Sequence, residues 1–476
     1  MVDLILSAAS VFRTIGSILL AILILLIMIT IHEFGHWIAG KILHFGINEF
    51  SIGFGPALFK KKSKKSGQLF AIRLIPLGGY CAFQGEDGLD DEKKDEEKGK
   101  VDFDFPDAAE KKDETAAQTA SNDTVILTPA PEDKAKEELK EAPKEEIKEE
   151  GKDEFFEEPS VPEKGKKKKR TPAWKEKPDD GSFTRKAPWK RIIVLVAGAL
   201  MNYILALFLI IICFFAYGQT LTAVYEAEGP VDGISEENSL QDFDVFLKAN
   251  GKNLYLTTDL TRAINGKKAG DQVELLISRY YIDEQAEDGT VIKAHRKKEL
   301  VTITLRSDVS VKNSSELGSA WKALGIKQEL NKEGKATGEY MLAGARCKFG
   351  FFETLGRSFV YSFKIAGSIL RVIGELLTGR LGISAMGGPI STIKTTSEVA
   401  SRGFQYFLEI SALIGVNLAV FNLLHVPALD GSKIVFTIIE WIRGKPISRK
   451  VEAIIHAVGF VFLLGFAILV DVLQFV

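Results

Sequence analysis

Near the end of a long apolar run stand five residues whose types and spacing suit chemistry: His32-Glu33-Phe34-Gly35-His36. On a helix, residues four apart share a face one turn from each other, so the two imidazoles can reach a single zinc ion. Glu33 then lies beside that ion, placed to take a proton from a water held there. The bland alternative is a helix end that emerges into water. Against it, three ionisable residues inside an apolar run are costly and demand a compensating role. A tetrahedral catalytic zinc needs a third protein ligand and one open position. The candidate is Asp430 in Pro427-Ala428-Leu429-Asp430-Gly431, although Asp–Gly alone is most often a turn.

The elements that must position these residues are membrane helices. Four runs approach the 20 or so apolar residues that cross a bilayer: 15–31 continuing to 42, 192–217, 407–424 and 454–475. The first has no basic leader and no small-residue cleavage site, so it reads as a retained span rather than a signal peptide. A further stretch, Phe351–Leu377, carries Glu353, Arg357, Lys364, Arg371 and Glu375 on one helical face. It predicts an amphipathic helix lying on the membrane surface or against the spans. The connections between the first and second spans and between the third and fourth are basic (Lys60, Lys61, Lys62, Arg185, Lys186; Lys433, Arg443, Lys445). Both are therefore expected in the cytosol, with the termini and the long connection between spans two and three outside. In that topology His32 and His36 lie roughly 25 Å into span one. Asn202 near the start of span two and Asp430 after span three fall at the same depth.

Average composition hides this organisation. The 476 residues are 46% hydrophobic and 26% charged with a formal net charge of −2. Those figures average apolar spans with a Lys/Glu/Asp-rich stretch from about residue 88 to 180, which cannot bury enough apolar surface to order itself. It reads as a cytosolic linker whose basic run 164–170 can touch anionic lipid. No nucleic-acid partner is expected. Cys81, Cys213 and Cys347 fit no disulfide or metal spacing. Residues 49–59 and 68–82 predict a strand pair, apolar enough to dip back into the bilayer from the cytosolic side. An exposed edge there could pair with an extended substrate, or the pair could simply pack.

With these stretches in hand, the chain resembles the bacterial site-2 proteases, intramembrane zinc metalloproteases of the regulator of sigma-E protease type with one PDZ domain. The matching motifs are His32 to His36, Phe50-Ser51-Ile52-Gly53-Phe54-Gly55, Ile75-Pro76-Leu77-Gly78-Gly79-Tyr80, Gly198-Ala199-Leu200-Met201-Asn202, Gly388-Pro389-Ile390, and Asn422-Leu423-Leu424 leading to Asp430-Gly431. Residues 239–251 and the helix Thr257–Ile264 resemble part of a PDZ domain. The resemblance implies Zn2+ held by His32, His36 and Asp430, with Glu33 as general base. It also implies that Asn202, Asn417 and Asn422 bind substrate; interhelical hydrogen bonding is an equal alternative for these three. Two departures stand out: His425-Val426-Pro427 where the family has Pro-x-Pro, and Ser432 after Asp-Gly.

The fold class expected is a membrane α-helical protein with about four transmembrane helices, a cytosolic-side re-entrant β-hairpin and an extracytoplasmic PDZ domain. By residue, the first span with HExxH occupies 1–45, the hairpin 46–87, the charged insert 88–182 and the second span 183–218. The PDZ domain follows over 219–308, a linker with the amphipathic helix over 309–400, the third span with Asp430 over 401–432, and a cytosolic loop with the fourth span over 433–476. The implied function is cleavage of the transmembrane segments of single-pass proteins, anti-sigma factors and remnant signal peptides, already cut by a site-1 protease, in the bacterial inner membrane. The alternative is a non-proteolytic membrane PDZ scaffold of the same fold.

Overall fold

The computed structural model describes residues 2–86, 181–230, 238–286, 290–383 and 386–475. The charged insert expected over 88–182 lies almost wholly outside them. Four helices among these residues are long and apolar enough to cross a membrane: Ile15–Ile42, Pro188–Tyr217, Phe404–Asn422 and Lys450–Gln474. They belong to α1 (Val2–Ile42), α2 (Pro188–Tyr217), α7 (Phe404–Asn422) and α9 (Arg449–Phe475). α1, α2 and α7 pack through small and apolar side chains. Ile24 and Met28 of α1 meet Ile414 of α7, and Ala206 of α2 meets Val416. In lipid such close packing holds helices together where the hydrophobic effect does not.

Between α1 and α2 come β1 (Ile47–Lys62) and β2 (Leu69–Phe83), an antiparallel pair in which β1 extends beyond the strand expected at 49–59 and β2 is shifted by one residue from 68–82. Both bend midway, so residues 49–52 are flanked by 79–82 on one side and 69–72 on the other. The bends fall where Gly53, Gly55 and Gly78 take φ of 85°, 82° and 124°, values that residues with a Cβ seldom adopt. That requirement gives the two glycine-rich motifs of the hairpin a backbone reason. Phe54, Leu58, Phe59, Ile72 and Leu74 are exposed on it.

After α2 the chain builds a six-stranded antiparallel sheet. Its strands are β3 (Gln219–Val224), β4 (Val245–Ala249), β5 (Lys252–Asn253), β6 (Gln272–Gln285), β7 (Val291–Thr304) and β10 (Leu342–Cys347), in the order β10-β3-β4-β6-β7 with β5 on β4. α3 (Thr257–Ile264) and the short α4 (Gly318–Ala323) cover it, and β8 (Gln328–Leu330) pairs with β9 (Ala336–Tyr340) alongside. The range 219–308 expected for this unit is too short. Trp321, Leu324 and Ile326 complete its core, and β10 pairs with β3 along its whole length, from Leu342 against Val224 to Cys347 against Gln219. The unit therefore runs to Cys347.

α5 (Phe351–Leu377) is the expected amphipathic helix, and its charged stripe faces protein. Arg357 donates to the Gln219 side chain and the Leu254 carbonyl, Lys364 pairs with Asp259 at 2.7 Å, and Glu375 accepts from Ser314. Phe352, Phe363 and Leu377 are exposed on the other side. Next come α6 (Pro389–Ala400) and, after α7, α8 (Asp430–Arg443). The stretch read as a loop before the fourth span thus carries a helix. α8 is amphipathic and only 14 residues long, too short and too charged for hydropathy to reveal. The carboxylate of Asp471, near the C-terminal end of α9, accepts from the Ile390 and Ser391 amides at 3.0 and 3.2 Å, capping the start of α6.

Candidate metal centre

The apolar composition that makes α1 helical also brings residues 32–36 against α2. Gly35 and Gly198 permit it. A Cβ at Gly35 would stand 2.3 Å from the Ala197 carbonyl oxygen, and one at Gly198 would stand 2.4 Å from Nε2 of His36 and 2.9 Å from Cε1 of His32. Both imidazoles are buried, at 8% and 6% exposure. Asp430 arrives from the far end of the sequence as the first residue of α8, across a turn after α7 in which Ala428 has φ 79°. Its Oδ2 lies 2.9 Å from Nε2 of His32 and 3.1 Å from Nε2 of His36, and the two nitrogens are 3.1 Å apart. Among the described residues these three form the one cluster of His, Cys, Asp or Glu able to hold a metal ion.

The donor set fits zinc. Nδ1 of His36 stands 2.8 Å from the Val194 carbonyl, which only accepts, so Nδ1 carries the hydrogen and donates. The neutral ring then presents its Nε2 lone pair to the triangle, the arrangement in which an outer hydrogen bond orients a metal-ligating histidine. Bonds of about 2.0–2.1 Å in a tetrahedron place ligand atoms about 3.3 Å apart, close to the spacing found.

Glu33 projects toward the hairpin, its Cγ 3.3 Å from where a Cβ on Gly79 would stand. β2 thus passes over the residue expected to move protons. Asn202 lies one turn along α2 from Gly198, fully buried, with both amide atoms lacking a hydrogen-bond partner. Asn417 and Asn422 are half-buried on α7, and no hydrogen bond ties either to the cluster. His425 is exposed and outside it.

Several supporting groups escape a motif-based reading. Arg191 of α2 and Glu440 of α8 form a buried ion pair at 2.7 Å. Lys433 pairs with Glu86 at the end of the hairpin at 2.7 Å, and this neighbour raises the Lys433 amine well above its ordinary range. The signal available was the position of Arg191 at the edge of an apolar span. A carbonyl partner such as that of Val194 leaves no trace in side-chain identity.

A helical bundle of this kind, with HExxH inside its first span and an aspartate delivered to it, defines a membrane-embedded zinc metalloprotease. The chain belongs to Peptidase family M50, the site-2 protease family, whose profile matches residues 20–466. It is 26% identical to zinc metalloprotease RasP of Bacillus licheniformis, over 94% of this chain and 96% of that one. Identity to the regulator of sigma-W protease RasP of Bacillus subtilis is 25%, over 94% and 96%. A putative zinc metalloprotease of Lactococcus lactis is 28% identical, over 93% and 94%. The scaffold alternative finds no support in this set, and zinc is the cofactor expected.

Proposed function

We propose that the protein cleaves membrane-spanning segments of single-pass proteins, anti-sigma factors and remnant signal peptides among them, after a site-1 protease has trimmed their external parts. The meeting of His32, His36 and Asp430 from elements nearly 400 positions apart carries the reading. In it these three side chains hold the zinc ion. Bound there, zinc polarises the scissile carbonyl and makes water a competent nucleophile near neutral pH. Glu33 takes the proton of the attacking water and returns it to the leaving amine. Val194 keeps the His36 ring in the tautomer that leaves Nε2 a ligand. Asn202, whose amide has no other partner, binds the extended backbone of the substrate, with Asn417 and Asn422 along the same path. The relative from B. subtilis bears the name of a sigma-W regulator, which supports the anti-sigma class.

In the proposed topology both termini and the sheet unit, read as a PDZ domain over 219–347, lie outside the cytosol in a bacterial inner membrane. The hairpin enters the membrane from the cytosolic side, which its exposed Phe54, Leu58 and Phe59 support. The test compares membrane proteomes of cells carrying wild type or Glu33→Gln, with zinc measured in both proteins. Uncut or half-trimmed single-pass proteins should accumulate with the variant while zinc stays bound. Zinc retained with no such accumulation would reject the substrate class.

A further inference from the structure

We propose that His456, on the fourth span, is a positioning residue for Asp430, so that α9 sets the third ligand of the metal site; this rests on the reading of Asp430 as a ligand. Ala428, two residues before Asp430, has φ 79°, a left-handed backbone that a residue with a Cβ seldom takes. Such a conformation persists only where its surroundings over-determine it. Here α9 supplies them. The Ala428 N–H donates to Nδ1 of His456 at 3.0 Å, across 28 positions of sequence. One turn along, Gly459 lies flat against Pro427, where a Cβ would stand 2.2 Å from the proline Cβ and 2.9 Å from its carbonyl carbon. The ring of His456 is held in turn by Phe436 of α8, edge to face with centroids 5.8 Å apart.

The chemistry of the ring follows from its partner. A backbone amide only donates, so Nδ1 holds a lone pair and the hydrogen of the neutral ring sits on Nε2. That Nε2 is buried without a hydrogen-bond partner. An unpaired polar group in an apolar span is unfavourable. The bond at Nδ1 gives the histidine its reason: it fastens the turn that delivers Asp430. His456 touches neither metal nor substrate, and acts through the position of Ala428.

The experiment uses the full chain in detergent. Wild type, His456→Ala, His456→Asn, Asp430→Ala, Ala428→Gly and the double variant His456→Ala with Ala428→Gly are compared for zinc retained against a graded chelator. The visible spectrum of the cobalt-substituted proteins and cleavage are recorded in parallel. Asparagine places its side-chain oxygen where Nδ1 stands, so it keeps the acceptor. Zinc affinity should fall about tenfold or more in His456→Ala, as when other outer partners of a metal ligand are removed, and the cobalt spectrum should shift. His456→Asn should restore both. Ala428→Gly relieves the left-handed backbone and should recover some of the loss in the double variant. Wild-type affinity and spectrum in His456→Ala, with zinc lost from Asp430→Ala, would overturn the proposal alone. Zinc kept by Asp430→Ala as well would overturn the ligand reading beneath it. A loss in His456→Ala that asparagine does not restore would reduce His456 to packing and also overturn the proposal.

Discussion

Glu33 separates two roles that a single loss of activity would confuse. If it is the base, Glu33→Gln lowers the rate of cleavage by several orders of magnitude while zinc content stays stoichiometric, measured by metal analysis of purified protein. Zinc lost together with activity would make the residue structural instead. Gly198 offers an independent check on the geometry. Gly198→Ala places a Cβ at 2.4 Å from Nε2 of His36, so the ring must shift. Zinc affinity should fall by an order of magnitude or more in a chelator titration, with the protein still inserted in the membrane. At this scale the sequence was unusually readable. The spacing of His32 and His36 puts both on one helical face, and the structure brings Asp430 to the same cluster. What it hid were partners with no side-chain signature: the Val194 carbonyl, and the turn at Ala428 with its histidine 28 positions away. A histidine within a span was a signal open to reading, and it pointed at no partner until α9 was seen against the turn.

Among the elements, the four spans show as apolar runs and α5 as a periodic charged face, signals that local sequence decides, and helices stand at each of them. α8 and β10 did not show in advance, for different physical reasons. A short amphipathic helix with a charge at each end looks like a polar loop to hydropathy. A six-residue strand on a sheet edge gains its identity from β3, more than a hundred positions earlier. α8 is held to α2 by the Arg191–Glu440 pair, whose side chains are 4% and 5% exposed. Arg191→Met leaves the Glu440 carboxylate buried without its counter-charge and should destabilise the fold by about 3–5 kcal/mol. Replacing both residues by methionine should cost much less, because no charge is then stranded. Thermal unfolding of the three proteins in one detergent checks the comparison; equal losses in single and double variants would mean the pair does not matter.

For the whole molecule, the question is what the sheet unit, placed outside the cytosol in the proposed topology, does to the site. As a gate, it would stop bulky substrates until they are trimmed. The structure changes how that is tested, since removing only the expected range 219–308 would delete β3 and leave its neighbour β10 unpaired. The unit to remove is 219–347. Its first and last residues are paired, Gln219 against Cys347, and antiparallel partners sit about 5 Å apart, so a short flexible linker closes the gap. The shortened enzyme should keep its zinc and cut trimmed substrates, and should now cut the same substrate untrimmed. If it still spares the untrimmed form, the unit is a docking module. The same pairing has a mechanical consequence. A tug that spreads the two stalks at Gly218 and Lys348 loads the β3–β10 ladder across its rungs at one end. The rungs then open in succession, like a zipper, instead of resisting together as they would in shear. The opening would begin at the base, away from the hydrophobic core centred on Phe246, Leu260 and Ile277.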